Sequence, residues 1–303
     1  MLVTFQEGGS FEGGRVRKGG GRGRGPLIAG GGIGAVLVAL AVAFLSGQTG
    51  IDLSGLTGED GGGSDALGEG QAQAVGDCTA EQANTDLECE LSATAQALDA
   101  YWDETLPAQS GVQYELPEVV SFTGQVSTGC GSATSAVGPF YCPSDRTVYI
   151  DVGFYDDLTS RFGANDGGLA RMYVVAHEFG HHIEQQIGAM EAADRSGTGP
   201  ESDSVRIELM ADCLAGMWAG HASSTPDPDT GVTFLEPVTE QQLRDALSAA
   251  SAVGDDRIQE SATGQVNPEA WTHGSSEQRQ RWFTIGYDGG TVQDCNALDA
   301  PSL

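Results

Sequence analysis

The 303-residue chain carries a formal net charge of −29, with 43 acidic residues against 14 basic ones. A surface this acidic repels phosphate backbones and gains nothing from counterion release, so we expect no nucleic-acid partner. Since 39% of its residues are hydrophobic, the chain can bury a core, and its length suits one large domain or two small ones with appendages.

The first 47 residues read as a tail followed by a membrane anchor. Residues 1–26 are rich in Gly and Arg, show no hydrophobic period, and are predicted to form a disordered cytoplasmic tail. Residues 27–47 contain no charge and are long enough to cross a hydrocarbon core of about 30 Å. The basic tail predicts a cytoplasmic N-terminus and an extracytoplasmic remainder at the cell membrane. A cleaved signal peptide is the alternative, which the length of the segment disfavours.

The chain beyond the anchor divides into a linker and one domain. Residues 48–77 are rich in Gly, Ser, Asp and Glu, a composition typical of a flexible tether. The domain is predicted to span residues 78–303. Its strands are expected over 118–122 and 147–152, and its helices over 91–105, 169–187, 204–221, 240–252 and 276–287. Because strands precede helices, we predict an α+β fold with a small sheet and a mostly helical C-terminal half.

Six cysteines follow the apolar segment, and none of them forms a C-x-x-C motif. An even number in this position indicates disulfides formed in an oxidising compartment. Six cysteines allow 15 pairings, but proximity in sequence favours two short loops and leaves one long-range pair. The predicted bonds are Cys78–Cys89, Cys130–Cys142 and Cys213–Cys295. The alternative for Cys213 is a buried free thiol.

The chemistry is indicated by an H-E-x-x-H motif at His177, Glu178 and His181. Residues four apart on a helix lie about 40° apart around its axis, so both imidazoles can converge on one ion. Glu178 lies about 100° from His177, where it can reach a water at the metal without being a ligand. We therefore predict one Zn²⁺ per chain, with Glu178 as the general base.

The third ligand is expected on the helix over 204–221. Glu208 and Asp212 are four residues apart and share one face of that helix. Glu208 is predicted to bind the metal, and Asp212 to accept a hydrogen bond from a ligand histidine and so fix its tautomer. A glutamate after H-E-x-x-H with an aspartate one turn later is the pattern of the gluzincins.

Longer blocks of sequence resemble the bacterial YpfJ-type neutral zinc metallopeptidase family. The matching blocks are FQEGGSFEGGRVRKGGG with the GGGIG-containing apolar segment, CGSATSAVGPFYCPSDRTVYIDVGF, VVAHEFGHHIEQQIG, IELMADCLAGMWA and THGSSEQRQRWFTIGYDGG. The similarity covers nearly the whole chain and implies a zincin-like fold and peptidase activity, but no particular substrate. Ile207 and Met210 around Glu208 depart from the family pattern in packing and leave the ligand pattern intact.

Three further features bear on the site. His273 lies in a Thr-His-Gly-Ser-Ser segment similar to one near the active site of HtpX-like membrane metallopeptidases. It is predicted to donate to the oxyanion, with a histidine that caps or packs beneath the following helix as the alternative. His182 points about 100° away from His181 and is expected to support the site or to be exposed rather than to bind metal. The strand over 147–152 is the candidate edge strand for peptide binding.

The sequence as a whole predicts a membrane-anchored, extracytoplasmic zinc endopeptidase that acts on proteins or peptides. The alternative is a non-catalytic zinc-containing scaffold or binding protein of the envelope. A scaffold could lose the base, whereas this chain keeps Glu178. An intramembrane protease is disfavoured because His177 lies about 130 residues beyond the apolar segment.

Overall fold

The computed structural model describes residues 4–19 and 73–303. Within them, short strands and one long helix occupy the first half and helices the second half, so the predicted α+β fold with a small sheet and a helical C-terminal half is confirmed. The strands are β1 (Ser10–Phe11), β2 (Val16–Gly19), β3 (Gln73–Ala74), β4 (Cys78–Thr79), β5 (Glu118–Phe122), β6 (Gln125–Thr128), β7 (Gly131–Thr134), β8 (Phe140–Cys142) and β9 (Thr147–Asp151).

The larger sheet has the strand order β3-β2-β5-β9-β8. Its central strands β2, β5 and β9 are parallel, and the outer strands β3 and β8 run antiparallel to their neighbours. Two small antiparallel pairs, β1–β4 and β6–β7, stand beside it. The prediction that residues 147–152 form an edge strand is wrong, because β9 is hydrogen-bonded on both sides and buried along its length. The edge strand is β8.

The five predicted helices are present in the described ranges, together with four shorter helices for which no bounds were predicted. They are α1 (Ala80–Ala83), α2 (Leu87–Ser110), α3 (Phe154–Ser160), α4 (Gly168–Gln186), α5 (Ala189–Ala192), α6 (Asp203–His221), α7 (Glu240–Ala252), α8 (Asp255–Thr263) and α9 (Ser276–Tyr287). Three of them start with capping boxes, at Thr79, Thr239 and Ser275. The helix expected over 91–105 is longer, since it starts at an Asp86 cap and continues past Pro107.

Residues 4–19 belong to the folded domain, so the predicted disordered tail is wrong for this segment. Phe5, Phe11 and Val16 are buried in the main core. The strand β2 pairs with β5 in parallel, and the backbone of Gln6 donates a hydrogen bond to Phe234 O at 2.9 Å. The predicted flexible linker is likewise wrong at its end, because Gln73–Ala74 form β3 and Val75 is buried.

This packing limits how the chain can meet a membrane. A strand hydrogen-bonded to β5 lies on the same side of any membrane as β5, so a cytoplasmic N-terminus with an extracytoplasmic domain is incompatible with the fold. Within residues 4–19 and 73–303, no helix is long and apolar enough to cross a membrane. The predicted anchor at residues 27–47 and most of the predicted linker lie outside these ranges.

The cysteines pair as the sequence predicts, in three disulfides. Two of them close short loops at the start of α2 and beside β8, and the third joins the middle of α6 to the C-terminal segment. The bonds are Cys78–Cys89, Cys130–Cys142 and Cys213–Cys295.

Helix α6 is central to the C-terminal half, because it packs between α4 and α9 and is buried except at its ends. Glycines let these helices approach closely. A Cβ atom at Gly180 of α4 would lie 2.9 Å from the backbone of Ala211 in α6, and one at Gly286 of α9 would lie 1.9 Å from Cys213 O. This close packing brings side chains from α4, α6 and α9 into one buried group.

Candidate metal centre

The structure brings together His177, His181 and Glu208, the three predicted metal ligands. One nitrogen or oxygen atom from each lies within 4.8 Å of the others. His177 Nε2 is 3.2 Å from Glu208 Oε2, and His181 Nε2 is 3.7 Å from Glu208 Oε1. Both histidines come from successive turns of α4, and Glu208 comes from the first half of α6.

The chemistry of this group suits a metal ion. Glu208 is only 1% exposed, yet its Oε1 atom has no hydrogen-bond partner within residues 4–19 and 73–303. A buried carboxylate oxygen without a partner is costly, and a cation between the three side chains would satisfy it. Two imidazoles and one carboxylate with a position left for water or substrate form a donor set that zinc takes in catalytic sites.

Each histidine is held by a carboxylate on the ring nitrogen that faces away from the group. His177 Nδ1 donates to Asp212 Oδ1 at 2.9 Å, which is the hydrogen bond that the sequence predicts. His181 Nδ1 donates to Glu184 Oε2 at 2.8 Å, a contact that the sequence analysis missed. These bonds leave both Nε2 atoms directed at Glu208, so the two rings present the same nitrogen to a shared ion.

Asp212 is itself held by two residues that the sequence analysis also missed. The Tyr173 hydroxyl donates to Asp212 Oδ1 at 2.5 Å, and Arg279 donates to both Asp212 oxygens at 2.8 and 3.0 Å. All three side chains are buried. Tyr173 is one turn before His177, a spacing that could have revealed it. Arg279 lies 67 residues from Asp212 and comes from α9, so only the fold shows its contact.

Charge is concentrated in this buried group. Burial alone would lower the pKa of His177, but the carboxylates of Asp212 and Glu208 raise it to about 10. Burial opposes ionisation of Glu208, yet the nearby histidines hold its pKa below the ordinary value. Burial raises the pKa of Glu184 to about 7 against the opposing effect of His181. The site is therefore built to hold positive charge, which protons or a metal ion can supply.

A cleft opens beside the metal centre, and Glu178 and His273 both line it. Glu178 is 8% exposed, and burial raises the pKa of its carboxyl group above the ordinary value. His273 Nε2 lies 3.9 Å from Glu208 Oε1, and its Nδ1 lies 3.0 Å from the Thr272 hydroxyl. The structure thus places His273 in the cleft wall next to the third ligand.

His182 lies apart from the metal centre. Its side chain is fully buried, so the expectation that it might be exposed is wrong, while the expectation that it does not join the ligands agrees with the geometry. Nε2 donates to Glu115 O at 2.6 Å and Nδ1 accepts from the Tyr141 hydroxyl at 2.9 Å. Burial lowers the pKa of His182 to about 4. This neutral histidine joins α4 to the segment before β5 and to β8.

Comparison with known proteins agrees with this geometry. The family described as putative neutral zinc metallopeptidases matches the chain over residues 5–298. The chain belongs to this family. The match to these zinc metallopeptidases includes the N-terminal segment as well as the two ligand-bearing helices, and it confirms the resemblance seen in the sequence.

Relatives of the chain occur in Mycobacterium tuberculosis and in Escherichia coli. The uncharacterized protein Rv2575 of Mycobacterium tuberculosis is 47% identical over 225 residues, which cover 74% of this chain and 75% of the relative. The uncharacterized protein YpfJ of Escherichia coli K12 is 36% identical over 270 residues, which cover 86% of each chain. No solved structure is significantly similar to the chain.

Proposed function

We propose that the protein is a zinc-dependent endopeptidase with a zincin-like active site. The observation that carries the proposal is the buried group of His177, His181 and Glu208 beside a cleft that Glu178 lines. When bound there, zinc would supply Lewis-acid polarisation of the attacking water and of the scissile carbonyl. The family match supports peptidase chemistry in general.

The side chains of the cleft have distinct roles in this proposal. Glu178 takes a proton from the attacking water and later delivers it to the leaving amine. Its burial supports this role, because a raised pKa makes the carboxylate a stronger base. His273 donates a hydrogen bond to the oxygen on which negative charge develops. Asp212 and Glu184 keep the ligand histidines in the required tautomer.

The sheet edge supports a peptide substrate. Strand β8 is the outermost strand of its sheet, and Pro139, immediately before β8, lines the cleft. An extended peptide that adds to this edge would pass the metal centre. The lining also favours an endopeptidase over an exopeptidase, since Arg279 is the one Arg or Lys among the described residues that line the cleft, and it is engaged by Asp212. It therefore has no free guanidinium to hold a substrate's terminal carboxylate.

Two variants of the full-length chain test the proposal. Glu178→Gln should keep the fold and the zinc content but lower peptide hydrolysis by at least about 10²-fold, because it removes only the base. Glu208→Gln should lose zinc, because it removes a charged ligand. Glu191→Gln, an exposed residue on α5, is the matched control and should leave both properties unchanged. Metal analysis and cleavage of a broad peptide library measure these outcomes.

The alternative function is a zinc-containing scaffold of the envelope. It would be favoured if the wild-type chain held one zinc ion and cleaved no peptide in the library. Equal zinc content in the wild type and in Glu208→Gln would overturn the ligand assignment itself. These two results are distinct, since the first concerns the chemistry and the second concerns the metal site.

We also propose that the domain works outside the cytoplasm, at the cell membrane. Three disulfides support an oxidising compartment. The fold adds the condition that Thr4–Gly19 share that compartment. A membrane-impermeant maleimide applied to intact cells should label Glu7→Cys and Glu104→Cys alike, since both positions are exposed. Labelling at Glu104→Cys alone would show that the N-terminus lies on the other side.

A further inference from the structure

The polar side chains that line the cleft belong to the metal centre or lie directly beside it, and apolar side chains form the rest of the wall. Six apolar side chains from separate parts of the chain form its wall, and each comes from a different helix, strand end or connecting loop. They are Pro139, Phe154, Phe162, Val174, Val253 and Ile258. Because the wall is assembled from several packed elements, its shape is set by the fold and not by one mobile side chain.

Burial distinguishes the back of the wall from its rim. Phe154 and Val174 are buried, whereas Phe162 and Ile258 are half-buried and reach the open side. The rings of Phe154 and Phe162 lie 6.1 Å apart between their centroids, so they form one continuous apolar surface. A side chain that entered the cleft would lose water on contact with this surface.

The charges in the lining are already engaged. Arg279 is bound by Asp212 and Tyr173, and its Nη1 atom donates to Val253 O at 3.2 Å. Glu208 belongs to the metal centre, and Glu178 faces the reacting bond in the proposed mechanism. A charged substrate side chain against the apolar wall would therefore lose hydration without gaining a partner.

We infer that the apolar wall selects substrates with a large apolar residue, such as Leu, Phe, Met or Ile, next to the scissile bond. This inference rests on the proposed function, because it assigns the substrate class of the same cleft. The wall offers dispersion contacts and removal of apolar surface from water, and it disfavours acidic and basic residues at that position.

A peptide library with randomised residues on both sides of the cleavage point tests the inference on the full-length, zinc-loaded chain. Peptides with Leu or Phe at one of the two positions should be cleaved at least about ten-fold faster than peptides with Gly or Asp, because a few methylenes in an apolar pocket discriminate by this amount or more. Cleavage without such a preference would overturn the inference and leave the proposed peptidase function intact.

A rim variant tests which residues select the substrate. Ile258→Asp should lower kcat/KM for Leu and Phe peptides by about ten-fold or more and shift the preference towards Lys and Arg. Zinc content should not change, because Ile258 is not one of the three side chains that would hold the metal. The matched control is Val266→Asp, which places the same charge at a residue that is 45% exposed and lies outside the cleft. If both variants keep the wild-type profile, the wall does not select the substrate.

The binding of zinc-chelating compounds tests the inference in an assay that does not depend on peptide cleavage. N-acetyl-leucine hydroxamate and N-acetyl-glycine hydroxamate share the chelating group and differ in the side chain. Calorimetry on the zinc-loaded chain should show at least about ten-fold tighter binding of the leucine compound, with the aspartate analogue no tighter than glycine. If no peptide is cleaved but this order holds, the peptidase proposal fails and the apolar site stands. Equal affinities would overturn the site.

Discussion

Each of the two histidines that we propose as metal ligands has its own buried carboxylate partner. Asp212 is neutralised by Arg279, but among the residues that the structure describes Glu184 forms no ion pair with Arg or Lys, and its Oε1 atom has no hydrogen-bond partner there. The Glu184 carboxylate therefore acts mainly on His181. A carboxylate in this position makes the imidazole a better metal donor and fixes its orientation.

Glu184→Gln separates this effect from a structural one. The variant keeps the shape of the side chain and removes its charge, so zinc affinity should fall by about 10- to 100-fold. The metal-free protein should lose little stability, because the Gln side-chain oxygen can still accept the hydrogen bond from His181 Nδ1. Competition with a chromogenic chelator and thermal melts without metal measure the two quantities.

Exposed Glu191→Gln serves again as the control for the loss of a glutamate. An unchanged zinc affinity in Glu184→Gln would show that Glu184 does not position His181. A lower melting temperature of the metal-free variant with unchanged affinity would assign Glu184 a purely structural role.

The sequence could predict those residues of the site that lie one turn apart on the same helix. His177, Glu178 and His181 follow from spacing on α4, and the pair Glu208 and Asp212 follows from spacing on α6. The same rule could have pointed to Tyr173 and Glu184, which lie one turn from the ligand histidines. This rule could not identify Arg279, because spacing within a helix carries no information about contacts between helices.

At the scale of elements, the approach of α4 to α6 decides whether the third ligand reaches the histidines. Gly180 lies between His177 and His181 on α4, opposite Ala211 of α6. A methyl group at Gly180 would meet backbone atoms at 2.9 Å, closer than a Cβ atom can approach without movement. The missing side chain therefore sets the distance across which Glu208 completes the metal centre.

We expect Gly180→Ala to weaken zinc binding and to lower stability by about 1–3 kcal/mol, the usual cost of overpacking a core. Helix propensity alone would favour Ala over Gly by up to about 1 kcal/mol, so any loss must come from the contact with α6. The control is Gly197→Ala, where an added Cβ meets nothing within 4 Å. Chemical denaturation and zinc titration measure both effects, and wild-type values for Gly180→Ala would show that the helices are not in close contact.

Helices were predicted more accurately than the order of the strands. Capping boxes at Thr79, Thr239 and Ser275 mark three helix starts locally in the sequence. Strand order depends on which distant segments pair, and the edge strand β8 has only three residues. Three residues form too short a pattern to predict a strand, so the longer β9 was predicted to be the edge strand instead.

At the scale of the whole molecule, an ion pair joins the N-terminal segment to the domain. Arg15 donates to both oxygens of Asp99, which also accepts a hydrogen bond from the Tyr114 hydroxyl at 2.7 Å. Both partners of the Arg15–Asp99 pair are 14% exposed. Two residues further on, Arg17 pairs with Glu118, but these side chains are 47% and 57% exposed.

The two arginines form a matched pair for stability measurements. Arg15→Ala should cost about 3–5 kcal/mol, because it leaves Asp99 buried without its charge partner. Arg17→Ala should cost less than about 1 kcal/mol, as expected of an exposed pair. Denaturation of the full-length chain provides both values. Equal, small effects would contradict the packing of residues 4–19 against the domain.

Composition alone could not reveal this packing. Gly and Arg dominate the N-terminal segment, and its buried apolar side chains, Phe5, Phe11 and Val16, are too few and too unevenly spaced to show a period. Their partners are also far away in the chain. A soluble fragment that began at residue 78, as the predicted domain boundary suggests, would lack β1, β2 and β3.

The N-terminal segment can reach its native position only after most of the chain has been synthesised. Residues 4–6 are made first, yet their backbone partners are Phe234, Leu235 and Glu236. At about 5–20 residues per second, synthesis reaches those partners on the order of 10 to 50 s later. During that time Phe5 can contact Phe11 and Asn84, but its pairing with Leu235 waits for the chain that carries His177, His181 and Glu208. Placement of the N-terminal segment is therefore a late step in maturation, and a chain interrupted before residue 234 cannot complete it.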